Sequence, residues 1–211
     1  MALEATHIRF ALDIIDKYNI ENIEKYISGS IYPDSRYVTK INREYTHNND
    51  ILHPEFANTD FKKGWQAHQV CDNIFNTVCE SIFSDILSKY TPPGNENDWI
   101  TSTGIKIVLD MSDMQKMNIQ EHLLHLEYIE KHHDEDLNKV RDYNQLIISL
   151  YKDKSKTTLD DYTELWTALE IRDDLQKKII LKADEFLQND KIATRIENLY
   201  EEMLDHYQQK Y

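Results

Sequence analysis

Phe61-Lys62-Lys63-Gly64-Trp65-Gln66-Ala67-His68-Gln69-Val70-Cys71-Asp72-Asn73-Ile74 is the stretch on which the fold turns. Val70, Ile74, Val78, Ile82 and Leu87 recur at the spacing of one helix face. Thr59 or Asp60 can accept the first free amide protons, so a long helix is expected over about residues 61–90. His68 and Asp72 then stand one turn apart on a single face, with Cβ atoms about 5–6 Å apart. An imidazole and a carboxylate so placed can reach one divalent cation. Alone the pair is weak evidence, because the two side chains can equally well hydrogen-bond to each other.

Around that helix the chain is short of helix breakers: its 211 residues include four glycines and four prolines. Folds built from strands and turns use more of both. The expectation is an all-α fold of about six to eight helices. It reads as one domain over 1–211, with a metal-site half over about 1–117 and a charged helical part over about 118–211. Ile8, Ala11, Leu12, Ile15 and Tyr18 predict a first helix over about Leu3–Tyr18. A short helix through Ile23 to Ile27 should stop at Ser28-Gly29-Ser30, where glycine can end it. An irregular region follows from Ile31 to about Asn58, and so long a connection is often functional. Thr91-Pro92-Pro93-Gly94-Asn95 is the clearest break in the chain. Beyond it come a helix over about Trp99–Met117 and a helical segment over about Ile119–Lys152, bent near His132-His133-Asp134. The last part runs from about Thr158 to Gln209, interrupted near Gln188-Asn189-Asp190. Its stripe of Leu165, Leu169, Leu175, Ile179, Ile180, Phe186, Ile196, Leu199 and Leu204 reads as core, or as the contact of a homodimer.

A net charge of −14 sets bulk electrostatics against duplex nucleic acid and anionic membrane surfaces. No stretch approaches the roughly 18 apolar residues of a membrane span, and no secretory leader is visible, so a cytoplasmic protein is expected. Cys71 and Cys79 lie eight residues apart on the long helix. Their Cα atoms would be about 12 Å apart, beyond the roughly 7 Å a disulfide spans.

The first third of the chain adds His7, Asp34 and His47 to the pair. Taken singly, His7 could be a packed histidine, Asp34 after Pro33 a turn residue, and His47 a loop residue. Together, three histidines and two aspartates suit zinc first, then iron(II) or manganese(II), with a position left open for water. A bridging Asp72 would allow two ions.

The order of these residues resembles the helical hydrolases that include the zinc-dependent phospholipases C and the single-strand-specific nucleases of the S1/P1 type. The layout is more distantly similar to the HD-domain phosphohydrolases. Those families carry an early-helix histidine, a Gly-x-x-x-Pro-Asp turn, a Thr/Ser-His pair and a helical Gly-x-x-x-His-x-x-x-Asp. The corresponding residues here are His7, then Gly29-Ser30-Ile31-Tyr32-Pro33-Asp34, then Thr46-His47, then Gly64 through His68 to Asp72. The likeness covers roughly residues 5–75. It implies that His7, Asp34, His47, His68 and Asp72 are metal ligands. It also implies that the activity is metal-dependent hydrolysis of a soluble phosphate ester or nucleotide. The family's second cluster has no counterpart, since the next histidine is His122 and position 126 is Leu126. A centre of one or two ions is therefore expected.

Asp34 or Asp72 could act as base, and Arg36 could hold a phosphate oxygen through its guanidinium. Arg36 paired with a surface carboxylate is the plainer reading, and Lys62 and Lys63 are alternatives for the phosphate. Asp110 could be the late aspartate of an HD-type site or merely a polar helix end. His122, His125, His132 and His133, set among acidic residues, read as a solvated helix face. The competing functional reading is a noncatalytic helical interaction protein whose metal is structural or lost.

Overall fold

A computed structural model describes residues 3–53, 55–87 and 95–210. It is all-α, as expected, and the described residues contain no strand. The helices are α1 (Glu4–Asp13), α2 (Ile23–Ile31), α3 (Arg36–Thr39), α4 (Arg43–Thr46), α5 (Asp60–Ile82) and α6 (Glu96–Lys116). They continue as α7 (Ile119–Leu123), α8 (Leu137–Tyr151), α9 (Leu159–Ala168), α10 (Asp173–Leu187) and α11 (Asp190–Lys210). The number among the described residues exceeds the expected range because the region read as irregular contains the single-turn helices α3 and α4 beside two short 3-10 turns, and because the segments over 119–152 and 158–209 are each divided once more than expected.

Thr59 is the N-cap of α5, its side chain accepting from the Lys62 amide. Asp60 is instead the first helical residue, and its Oδ2 accepts from the amides of Glu21 (3.1 Å) and Asn22 (2.7 Å). One aspartate thereby ties the start of α5 to the start of α2. The expected helix to residue 90 ends earlier, at Ile82. Most of the break at 91–95 lies outside the described residues, but Asn95 caps α6 by accepting from the Asp98 amide.

Gly29 does not stop α2, which runs on to Ile31. It has a different use. A Cβ at Gly29 would lie 2.0 Å from the Phe61 carbonyl oxygen, and one at Gly64 would lie 1.9 Å from that of Tyr26. The two helices cross backbone to backbone at these glycines, closer than any side chain permits. Gly64, His68 and Asp72 share one face of α5, so this crossing aims the pair at α2.

The segment expected to be a bent helix is divided more sharply. After α7 and the 3-10 turn Leu124–Glu127, residues 128–136 have no helix before Asp136 caps α8. A second interruption, at 169–172, separates α9 from α10 and was not legible as a break. Buried apolar residues from Leu3 in the first turn to Tyr207 in α11 form one continuous core. Leu165, Ile179, Phe186, Ile196 and Leu199 of the C-terminal stripe belong to it. Cys71 and Cys79 are both buried and free. Among the described residues no helix is long and apolar enough to cross a membrane.

Candidate metal centre

Five side chains from four places in the sequence converge beside the α2–α5 crossing. His7 comes from α1, Asp34 from the 3-10 turn after α2, His47 from the end of α4, and His68 and Asp72 from α5. All five are buried. Asp72 faces both ways: Oδ1 lies 3.5 Å from His7 Nε2, and Oδ2 lies 3.6 Å from His47 Nε2 and 3.8 Å from His68 Nε2. Asp34 Oδ1 is 3.5 Å from His47 Nε2. The Nε2 atoms of His47 and His68 are 3.2 Å apart, and the His7 and His68 rings stack at 3.7 Å.

The outer nitrogens are held by the backbone and a hydroxyl. His68 Nδ1 lies 2.8 Å from the Ser30 carbonyl oxygen, which can only accept. The proton of a neutral His68 is thereby fixed on Nδ1, and the Nε2 lone pair points inward. His47 Nδ1 lies 2.7 Å from Thr46 Oγ1, which in turn donates to the Arg43 carbonyl at 3.4 Å. With its hydroxyl proton so used, Thr46 can accept from Nδ1 and leave His47 Nε2 free to bind. Burial, reinforced by the neighbouring His68, holds the His7 pKa well below its ordinary value, and burial also lowers that of His68. Both rings are neutral donors at pH 7. Burial opposes ionisation of Asp34, but the close approach of His47 at 3.5 Å and the nearby His68 prevail and hold it down to about 2.

These are the properties of a ligand set. His7 Nδ1, His7 Nε2 and Asp34 Oδ1 are buried with no hydrogen-bond partner, and each such group costs about 1–3 kcal/mol if nothing satisfies it. Bonds of 2.0–2.2 Å to a four-coordinate ion place donor atoms about 3.3–3.6 Å apart. The observed carboxylate–imidazole separations, 3.5 to 3.8 Å, match that edge length closely. Two overlapping sets, His7–His68–Asp72 and Asp34–His47–His68, each keep their donor atoms within 4.8 Å of one another. The residues present fit a divalent ion.

Other candidates fall elsewhere. Arg36 stacks on its neighbour Tyr37, 4.2 Å from the ring centre, and its Nε lies 3.9 Å from the buried Asp34 carboxylate. Lys63 is used by Asp60 and the Asn19 carbonyl, and Lys62 sits over Phe56, so neither faces the cluster. Asp110 is neither a late ligand nor a helix end. It lies well inside α6 and accepts from Thr6 N (3.1 Å), Tyr151 Oη (2.6 Å) and Tyr162 Oη (2.7 Å). Tyr151 Oη also accepts from the Ala5 amide at 3.1 Å. Because Leu3 offers α1 no side-chain cap, this buried trio satisfies the free amides of the first turn and fixes the helix that carries His7.

The later histidines belong to no metal set among the described residues. His122 and His125 stand with ring centres 5.8 Å apart, and His132 stacks on Phe61 at 4.6 Å. The expected solvated face is wrong for Glu135. It is buried and accepts from Tyr32 Oη and the amides of His132 and His133, closing the 128–136 segment over α2 and α5.

A narrow cleft opens onto Asp34. Its polar lining is Glu4, Asp34, Tyr37, Thr103 and Lys106, and its apolar lining is Leu3, Trp99, Leu165, Trp166, Leu169 and Ile171. Part of the C-terminal stripe thus lines the approach to the cluster. Lys106 is buried in the run Gly104-Ile105-Lys106-Ile107-Val108-Leu109, and a lone lysine in an apolar helix run was the readable signal. Glu4 has no such signature. Burial, with Asp34 and Asp110 nearby, pushes its pKa up to about 8. A carboxyl raised on folding contributes stability in full below its unfolded value and loses it as pH rises to the folded one. Urea titrations should therefore show a Glu4-dependent fall, on the order of a few kcal/mol, between about pH 4.5 and 8. Glu4→Gln should flatten that fall, and an unchanged slope would sink the assignment.

Comparison with protein-family models, curated proteins and solved structures returned no match. The functional reading therefore rests on the residues themselves.

Proposed function

We propose that this chain is a metal-dependent hydrolase of phosphoric esters, acting on a soluble phosphate ester or nucleotide. The observation that carries the reading is the meeting of a buried three-histidine, two-aspartate cluster with a cleft at Asp34. A purely structural ion is normally closed off by its ligands, whereas a catalytic one keeps a position that substrate can reach. The cleft favours the catalytic alternative over a noncatalytic scaffold.

His7, Asp34, His47, His68 and Asp72 would hold the ion, zinc being the first choice and iron(II) or manganese(II) the others. When bound, a divalent ion there supplies positive charge for phosphoryl oxygens and makes water more acidic. Asp34, ionised and shared between cluster and cleft, is placed to accept the proton of a water attacking phosphorus. Arg36, whose Nε lies 3.9 Å from Asp34 Oδ1, would orient that carboxylate rather than touch the phosphoryl group, since it does not line the cleft. The buried walls exclude bulk water, so each charge in the site acts at lower dielectric than it would in solution.

Protein purified without added metal should contain about one to two ions per chain by elemental analysis and should hydrolyse bis-p-nitrophenyl phosphate. Chelation should stop turnover and readdition of the ion should restore it. Stoichiometric metal with no turnover across a panel of mono- and diesters would favour the structural alternative. Metal affinity should fall as pH drops through the lowered pKa values of His7 and His68, because protons then compete for their ring nitrogens. A metal affinity that does not fall before the protein unfolds in acid would argue against imidazole ligation.

A further inference from the structure

The cleft itself has a chemistry that the ligand cluster does not specify. Lys106 is buried in its wall, with Nζ 5.2 Å from the centre of the Phe75 ring. Glu4 lines the same cleft. Tyr143 donates to its Oε1 at 2.5 Å, while Oε2 is buried and has no hydrogen-bond partner. A buried cation and a buried unsatisfied carboxyl oxygen next to one opening point to a polar ligand group. The apolar wall has a different character. Trp99 and Trp166 stand with ring centres 6.2 Å apart and are joined by Leu165 and Leu169. Trp99 is only partly buried, leaving ring surface for a ligand. Thr103 also lines the cleft, but its hydroxyl already donates to the Trp99 carbonyl at 2.6 Å, so this wall offers the edge of a nucleobase little to pair with.

We infer that the cleft binds an oxyanion ester with an apolar substituent, its anionic group on Lys106 beside the metal centre and its apolar group against Trp99 and Trp166. This rests on the proposed hydrolase reading and narrows it, replacing a nucleoside by an aryl or short alkyl group. Lys106 attracts the anion and holds it next to Asp34, while the tryptophan wall removes the substituent from water. A charge-assisted contact and an apolar wall contribute separately, so their losses can be told apart.

The test is binding rather than turnover. Phenylphosphonate, butylphosphonate, methylphosphonate, inorganic phosphate and adenosine monophosphate are titrated into the metal-loaded full chain by calorimetry, with tryptophan fluorescence followed in parallel. Phenyl- or butylphosphonate should bind at least about tenfold more tightly than methylphosphonate, and should change the tryptophan emission. The preferred substituent distinguishes an aryl from an alkyl ester. Trp99→Ala should erase that preference and leave inorganic phosphate affinity unchanged. Lys106→Met should weaken every anion by about tenfold or more while keeping the preference.

Equal binding of methyl-, butyl- and phenylphosphonate, or tighter binding of adenosine monophosphate, would overturn the apolar assignment. Unchanged affinities in Lys106→Met would overturn the anion assignment. Should that variant fail to fold, partly exposed Trp99 still provides a tolerant position for the test. Selective phosphonate binding without ester turnover would leave this inference standing and sink the hydrolase reading. Turnover without selective binding would do the reverse.

Discussion

Protein carrying Asp72→Asn is expected to purify without stoichiometric metal and to lose at least about a thousandfold of its phosphodiester turnover. The size follows from position. Asp72 is the one carboxylate that approaches all three histidines, with Oδ1 toward His7 and Oδ2 toward His47 and His68. Outer-shell partners of metal ligands typically matter by 10–100-fold, and an inner ligand that approaches all three histidines should exceed them. Melting provides a readout independent of activity. A ligand present at about a thousand times its dissociation constant stabilises by about 4 kcal/mol, which for a chain of this size is a rise of roughly 10 °C. The native protein should therefore drop by about that much on chelation, and Asp72→Asn should melt alike with and without chelator. Full metal occupancy in the variant would show that the ion, if any, is held elsewhere.

The two levels of the molecule were unequally legible in the sequence. Helical content was plain from the spacing of apolar residues and the scarcity of glycine and proline, and Thr59 marked the start of α5 by a local rule. The five cluster residues were legible because their order and spacing encode chemistry that composition does not. What escaped was whatever depends on tertiary approach. Gly29 looked like a helix stop because its neighbours, Ser28 and Ser30, suit a helix end; its use lies in the carbonyl of Phe61, which sequence cannot place beside it. Asp110 looked like a ligand or a helix end because the amides it caps belong to α1, more than a hundred residues away. The 128–136 segment was given helical continuity because its acidic residues match a solvated face. Glu135 instead spends both oxygens on the amides that a helix would have used. The cleft drew on Trp99, Lys106 and Trp166, which no single motif joins.

Gly64→Ala is expected to be the most damaging single methyl group that can be added to this chain. The new Cβ would stand 1.9 Å from the Tyr26 carbonyl oxygen, against the 3.4–4 Å of ordinary contact, so α2 and α5 must part by more than an ångström. Alanine's better helix propensity returns about 1 kcal/mol, but forced overpacking against backbone costs typically 1–3 kcal/mol and sometimes more. With the cost at the upper end of that range, a net loss of about 2 kcal/mol, or roughly 4–8 °C in melting temperature, is the expected result. Its second effect is at the metal centre. The crossing holds His68 Nδ1 against the Ser30 carbonyl at 2.8 Å, so parting the helices should also weaken metal binding by about 10–100-fold. Gly104→Ala is the control. Its Cβ would meet the flexible Lys182 side chain at 3.1 Å, with the Ala183 amide and the Phe186 ring at 3.3 Å, all in α10. It should move stability by no more than about 1 kcal/mol and leave metal affinity unchanged. If Gly64→Ala melts and binds metal like the native chain, the glycine crossing does not position His68, and the geometry of the centre must be set from α1 and the 3-10 turn alone.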